Sequence, residues 1–497
     1  MIYLILALAA FLRFFNLSNL PISLFGDEID VGYHAWSLIT TGRDYMGNLL
    51  PTYIQSLSEW RAPFLMYVTA PFVGILGPTP FAIRLPTALL GILNIYLIYL
   101  LVNKLFKNKN IGLLTAFLLS ITPWHIHYSR AAFESTLLLT LLLSGTLFFI
   151  KKRYSLSIIS FILTFYTYST ANLFTPLLFI SLFLIYRPPL TKLLKRPACR
   201  QAGPWVQFGL YFILLLPITY HLTLGQAAGR FKMVSVFSDN EIIYDIVNQR
   251  ISPWVDQNAL SEKLFHNKAI SYAGKVGSNY LSAFSPQFLF ISGDPNFRHS
   301  VGRFGELLWV TAPFLIIGFV YLVANLKNKS NQLILVWLLL SPIPSALTAD
   351  GAMHATRLIL MLPPLITIST LGLWKLLKIT PPRLCGACGE PRGWNYLIIV
   401  IFLITTTLNV TAYLHRYSTH YKLESARHWQ HGYQDIFNKS DSFKSANRVF
   451  INNTYEPSLL KFDFFTKYPP KEFQKNFLTD VPTENIVKGF DGFKFAD

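Results

Sequence analysis

Apolar runs dominate this chain and alternate with short polar joints. They fall at about 1–17, 62–76, 81–102, 110–124, 131–150, 154–169, 171–186, 205–224, 306–325, 331–347, 355–377 and 395–414. Runs near the roughly 20 residues that cross a bilayer predict transmembrane helices. The first, "MIYLILALAAFLRFF", has no basic start and no small-residue cleavage site before polar sequence. It therefore reads as a retained helix rather than a signal peptide. After about residue 415 the pattern changes. "NRVFINNTYEPSLLKFDFFTKYPP" alternates apolar and polar residues, as short strands with a helix do.

The joints orient the spans. "KLFKNKN" (104–110), "KKR" (151–153), "RPPLTKLLKRPACR" (187–200), "LKNKS" (326–330) and "KLLKITPPR" (375–383) are basic and should face the cytoplasm. Counting crossings from an inside N-terminus leaves none for 62–76. That segment should lie along the outer interface or re-enter. Pro63, Pro71, Gly74, Gly77, Pro78 and Pro80 lie in or beside it and disfavour a straight helix. The predicted fold is an all-α polytopic membrane protein with about eleven transmembrane helices and a small α/β-type extracytoplasmic C-terminal region. Residues 1–414 form the membrane domain, with outer loops 18–80 and 225–305, and 415–497 form the second domain. The expected location is the cell's inner (cytoplasmic) membrane.

Composition agrees. The chain is 52% hydrophobic and only 14% charged, against about 25% charged in a soluble domain. Its net charge of +18 follows from the basic inner loops, so no nucleic-acid partner is expected. Three cysteines give no disulfide framework, and Cys385 and Cys388 lack the second pair a zinc site needs, so they read as loop.

Mid-span charges, the mark of ion paths, are nearly absent. Polar residues gather instead at the outer ends of the spans. "LFGDEIDVGYHAW" carries Asp27, Glu28, Asp30 and His34; "SEWRAPF" carries Glu59 and Arg61; "RLPTALLG" opens on Arg84. "TPWHIHYSRAAFES" carries His125, His127, Arg130 and Glu134, the last two sharing a face if the segment is helical. "GDPNFRHSVGRFGE" supplies Asp294, Arg298, His299, Arg303 and Glu306, and "TADGAMHATR" supplies Asp350, His354 and Arg357. A single interfacial Arg or His is usually a headgroup anchor. The adjacent Asp27 and Glu28 resist that reading, because they repel one another and anchor nothing. Arginine's planar fork suits phosphate, and a carboxylate can take a proton from an attacking group. Together these segments suggest a site where a phosphate-bearing lipid meets a polar acceptor.

The same motifs resemble the glycosyltransferase C superfamily, most closely its phospholipid-carrier-dependent branch of protein O-mannosyltransferases and the lipid A aminoarabinose transferase. An early Asp-Glu pair, "EWRAPF", "RLPTALLG" and "YSRAAFES" follow the branch's order over about residues 10–150. The likeness is looser through 280–365. It implies that Asp27 is the catalytic base and that Glu28 shapes the acceptor site. Glu59, Arg61, Arg130 and Glu134 fall at donor-phosphate or substrate positions, and Arg298, His354 and Arg357 would clamp the donor phosphate. Glu134 stands where the family more often has Asp, and "EWRAPF" has one Pro where the pattern has two. The implied activity moves a sugar from a polyprenyl-phosphate donor to a protein, lipid or glycan acceptor outside the membrane, with inversion. No cofactor is required, although a divalent metal could assist the phosphate. A membrane transporter or flippase of lipid-linked sugars and an O-antigen polymerase or ligase are the alternative readings.

Overall fold

The computed structural model describes residues 1–56, 60–187, 211, 215–217, 219–220, 234–251, 260–378, 392–439, 449–452, 458–476, 486–487 and 493–496. The apolar runs within these residues are helices. In chain order the first are α1 (Ile2–Phe14), α2 (Gly26–Thr41), α3 (Phe64–Leu76), α4 (Pro80–Phe106), α5 (Lys109–Ile121), α6 (Pro123–Tyr128), α7 (Glu134–Ile150), α8 (Tyr154–Phe165) and α9 (Ala171–Tyr186). Among the described residues, three helices are long and apolar enough to cross a membrane: Pro80–Phe106, Ala355–Leu376 and Tyr396–Glu424. Most of the segment expected at 205–224, and the Cys385–Cys388 loop, lie outside the described residues.

The region 18–80, expected as an outer loop, is not a loop. It holds α2 and α3, packed against each other. The last turn of α2 closes on Gly42, whose φ of 70° is the left-handed geometry that glycine tolerates. The next strands, β1 (Ile54–Gln55) and β2 (Trp60–Arg61), pair antiparallel, with Ile54 opposite Arg61. Pro71 sits inside α3 without ending it. At 13 residues, α3 is about 20 Å long, short of the roughly 30 Å hydrocarbon core. α4 starts with Thr79, whose side chain accepts the Ala82 N–H, and with Pro80 in its first turn.

Residues 459–474 of the tail pack onto α2. Leu459, Phe462, Phe464 and Phe473 share a core with Ile29, Val31 and Tyr33. Tyr33 donates to the Tyr468 carbonyl at 3.0 Å, and Gln474 Nε2 donates to Ser37, Thr41 and the Asp44 carbonyl. Gly32 lets this packing close, because a Cβ there would collide with Ile83 of α4. Further along the tail, strand Phe493–Ala496 pairs parallel with Val449–Asn452 and antiparallel with Ile486–Val487.

Candidate active site

Asp27 and Glu28 open the first turn of α2, where the helix dipole favours carboxylates. Successive residues on a helix diverge by about 100°, so the two point differently. Asp27 has 43% of its side chain exposed, and Glu28 has none. Glu28 receives a two-pronged ion pair from Arg84 at 2.9 Å on both oxygens, plus the Ala132 N–H at 3.0 Å. Arg84 spends its other donors on the carbonyls of Leu17, Pro21 and Ser23. This buried assembly ties α2 to α4 and to the loop before α2.

Asp27 instead meets Arg61 at 2.5 Å. Asp30, one turn further on, lies 3.8 Å from the same guanidinium and accepts from Ser56 and Tyr45 at 2.6 and 3.2 Å. Burial disfavours the charged guanidinium, but Asp27, Asp30 and Glu134 outweigh it and hold the Arg61 pKa well above its usual value. Burial is also the main reason that the Asp30 carboxyl is raised. His34, stacked on Tyr45 at 3.9 Å, is pushed down to about 3 by burial and is neutral. One internal cation thus serves three carboxylates.

A cavity of about 150 Å³ opens beside this cluster. Asp27, Arg61, Glu134, Arg298, His354 and Arg357 line it, and His299, Tyr53, Thr167, Tyr168 and Ser169 complete it. Six of the sequence-derived site residues therefore converge from stretches far apart in the chain. Glu28 lies behind the wall, and Glu59 falls outside the described residues. Arg130 is turned away as well. Its guanidinium donates to the carbonyls of Leu12, Arg13, Phe15 and Leu20, closing the end of α1. The expectation that Arg130 and Glu134 share a helix face fails, because α6 ends at Tyr128 and α7 begins at Glu134. The turn between them sends Arg130 inward and Glu134 to the cavity. Tyr53 and the Thr167–Ser169 turn escape the sequence reading. The turn's signal was a joint of aromatic and hydroxyl residues, "YTYST", between α8 and α9.

The two distal arginines are held by defined contacts. The Arg298 guanidinium lies 4.8 Å from the Phe25 ring centre and donates to the His428 carbonyl at 3.3 Å. Arg357 donates to Thr348 and Asp350 at 2.6 and 2.5 Å. His299 and His354 lie 5.0 Å apart, ring centre to ring centre. Burial, then neighbouring cations, pushes His354 down to about 4 and His299 well below its ordinary value. Both rings are neutral at pH 7. They act there as hydrogen-bonding groups, leaving Arg298 and Arg357 as the cations of this wall. Among the described residues, no three His, Cys, Asp or Glu side chains are grouped to hold a metal ion.

Asp294 joins the two arginine-bearing segments. One oxygen accepts the Asn296 N–H and the other the Ala355 N–H, both at 2.8 Å. Its carboxyl is pushed up to about 6, chiefly by burial, against those two donors. An unfolded Asp titrates near 3.9, so the folded state holds this proton more tightly. The stability it lends is complete below about pH 4 and lost as pH rises through about 6. Acidification from pH 7 to 5 should therefore raise the melting temperature, this group contributing about 1 kcal/mol over that window and about 3 kcal/mol only once pH falls below about 4. Thermal unfolding in detergent across that window should show a flatter profile for Asp294→Asn.

Residues 60–221 match the family model of dolichyl-phosphate-mannose-protein mannosyltransferases. No curated protein sequence matches the chain. Similar folds include the archaeal oligosaccharyltransferase AglB from Archaeoglobus fulgidus, in complex with an inhibitory peptide and a dolichol-phosphate. It is 12% identical, with a TM-score of 0.55, over 99% of this chain and 61% of that one. ArnT from Cupriavidus metallidurans in the apo state is 13% identical, with a TM-score of 0.55, over 94% of this chain and 84% of that one. ArnT bound to undecaprenyl phosphate gives 12% and 0.52 over the same shares. The chain thus spans about three fifths of the AglB length and most of the ArnT length. The resemblance its motifs suggested is borne out: residues 60–221 match the mannosyltransferase family model, and the chain has the fold of AglB and ArnT.

Proposed function

We propose that this protein is an integral-membrane glycosyltransferase that moves a sugar from a polyprenyl-phosphate donor to an acceptor on the extracytoplasmic face, within the eleven-span topology drawn above. The observation that carries this reading is a cavity that brings together an accessible carboxylate, Asp27, with its partner Arg61, and two further arginines, Arg298 and Arg357, in its walls. Polyprenyl phosphates bound to AglB and ArnT support the choice of donor.

The proposed reaction is one displacement. Asp27 takes a proton from the acceptor hydroxyl or amine, whose lone pair attacks the anomeric carbon. The bond from that carbon to the phosphate oxygen breaks, and the electron pair leaves on the lipid phosphate. Arg298 and Arg357 stabilise the added negative charge, His354 donates a neutral hydrogen bond, and the sugar inverts. Arg61 aims Asp27, while Glu28, bound to Arg84, fixes the turn that presents it. Glu134 borders the acceptor side.

Purified protein incubated with a panel of polyprenyl-phosphate sugars should release lipid phosphate from one of them. Release from none, with candidate acceptors present, would refute the reading. Arg357→Ala and Arg298→Ala should each lower kcat by about 100-fold or more with a smaller change in KM, because the lost charge acts in the transition state. Arg357→Lys should recover only part, since a point charge does not reproduce the fork.

A further inference from the structure

A second cavity, about 780 Å³, lies at the other end of the helices that build the first. α7 begins at Glu134 in the proposed active site and ends beside Ile150 and Lys152 in this one. α9 follows the Thr167–Ser169 turn and ends at Tyr186, and α4 carries Lys104 in its last turn. A 17-residue α7 separates its ends by about 25 Å, and a 27-residue α4 by about 40 Å. The two cavities therefore open on opposite sides of the apolar layer.

Among the described residues, Lys104, Lys107, Lys152, Lys329, Lys375 and Lys378 line this second cavity, and no carboxylate does. Described lysines of four basic joints, "KLFKNKN", "KKR", "LKNKS" and "KLLK", are separate in sequence and meet here. The positive-inside tendency explains basic loops on one face. It does not explain their convergence around a common void, where like charges repel. Aromatic rings steady the ammonium groups: Lys375 lies 4.0 Å from the Tyr321 ring centre, Lys378 4.9 Å from Trp374 and Lys329 6.0 Å from Tyr186. Leu105, Phe106, Ile111 and Leu371 add an apolar wall.

The geometry points to a binding site for the phosphate headgroup of an anionic phospholipid from the opposite leaflet, distinct from the donor site and independent of the transfer reaction. The lysines neutralise the phosphate, Asn108, Asn328 and Ser330 supply hydrogen bonds, and the apolar wall takes the start of the acyl chains. Basic pockets between membrane helices are suited to such lipids.

Full-length protein in neutral detergent is titrated with fluorescent phosphatidylglycerol or phosphatidylcholine, with inorganic phosphate as competitor. Phosphatidylglycerol should bind at least tenfold more tightly, and added salt should weaken it. The triple change Lys104→Gln, Lys375→Gln and Lys378→Gln should cost about 100-fold, each lysine near a lipid surface contributing about fivefold. The corresponding triple change to Arg keeps the charge and should retain binding, which separates loss of the site from loss of the fold. Equal affinity for the two lipids, or a glutamine triple that binds as the parent does, would overturn the proposal. Binding of inorganic phosphate at the same lysines with no lipid preference would overturn the lipid source.

Discussion

Asp27→Asn should abolish sugar transfer, by about a thousandfold or more, while leaving expression, insertion and melting temperature close to those of the parent. General bases contribute roughly a hundred- to ten-thousandfold, and the amide keeps the shape of the carboxylate without its basicity. The side chain is 43% exposed and lines the cavity, so the exchange leaves no charge stranded in the core. Its ion pair with Arg61 loses strength, but Asp30 stays 3.8 Å from that guanidinium. The assay is lipid-phosphate release at saturating donor. A variant that still transfers at near-parental rate would show that another group takes the proton.

The neighbouring carboxylate should behave in the opposite way. Arg84→Met strands the Glu28 carboxylate in a site with no solvent access and should cost about 3–5 kcal/mol of stability. Combining it with Glu28→Gln removes both charges and should recover much of that loss, since a neutral pair of similar volume has little to desolvate. Unfolding of the two singles and the double in detergent measures the coupling. For Glu28→Gln alone, loss of transfer should track loss of fold. Normal stability with no transfer would place Glu28 in the chemistry itself.

These contrasting expectations show how far the sequence carries. Polar residues beside apolar runs marked the site well, because carboxylates gathered with arginines at one end of the spans exceed what headgroup anchoring calls for. Asp27, Arg61, Glu134, Arg298, His354 and Arg357 were found that way and meet in one cavity. Direction was harder to read. Glu28 and Arg130 carry the same signal as their neighbours, yet a helical step of about 100° turns one inward and a non-helical turn redirects the other. Both then bond groups more than 50 positions away. Residues 18–80 look like loop because α2 has a mixed surface. Its buried face is completed by tail residues that no local pattern could supply.

That last dependence sets an order of events during synthesis. The wall behind Tyr33 is closed by Tyr468, 435 positions later, and Ser37 waits for Gln474 across 437. Contacts so distant form late. A ribosome has translated most of this chain before the helix bearing Asp27 can gain its full set of neighbours. Truncated products that end before residue 459 leave that apolar face of the helix bare.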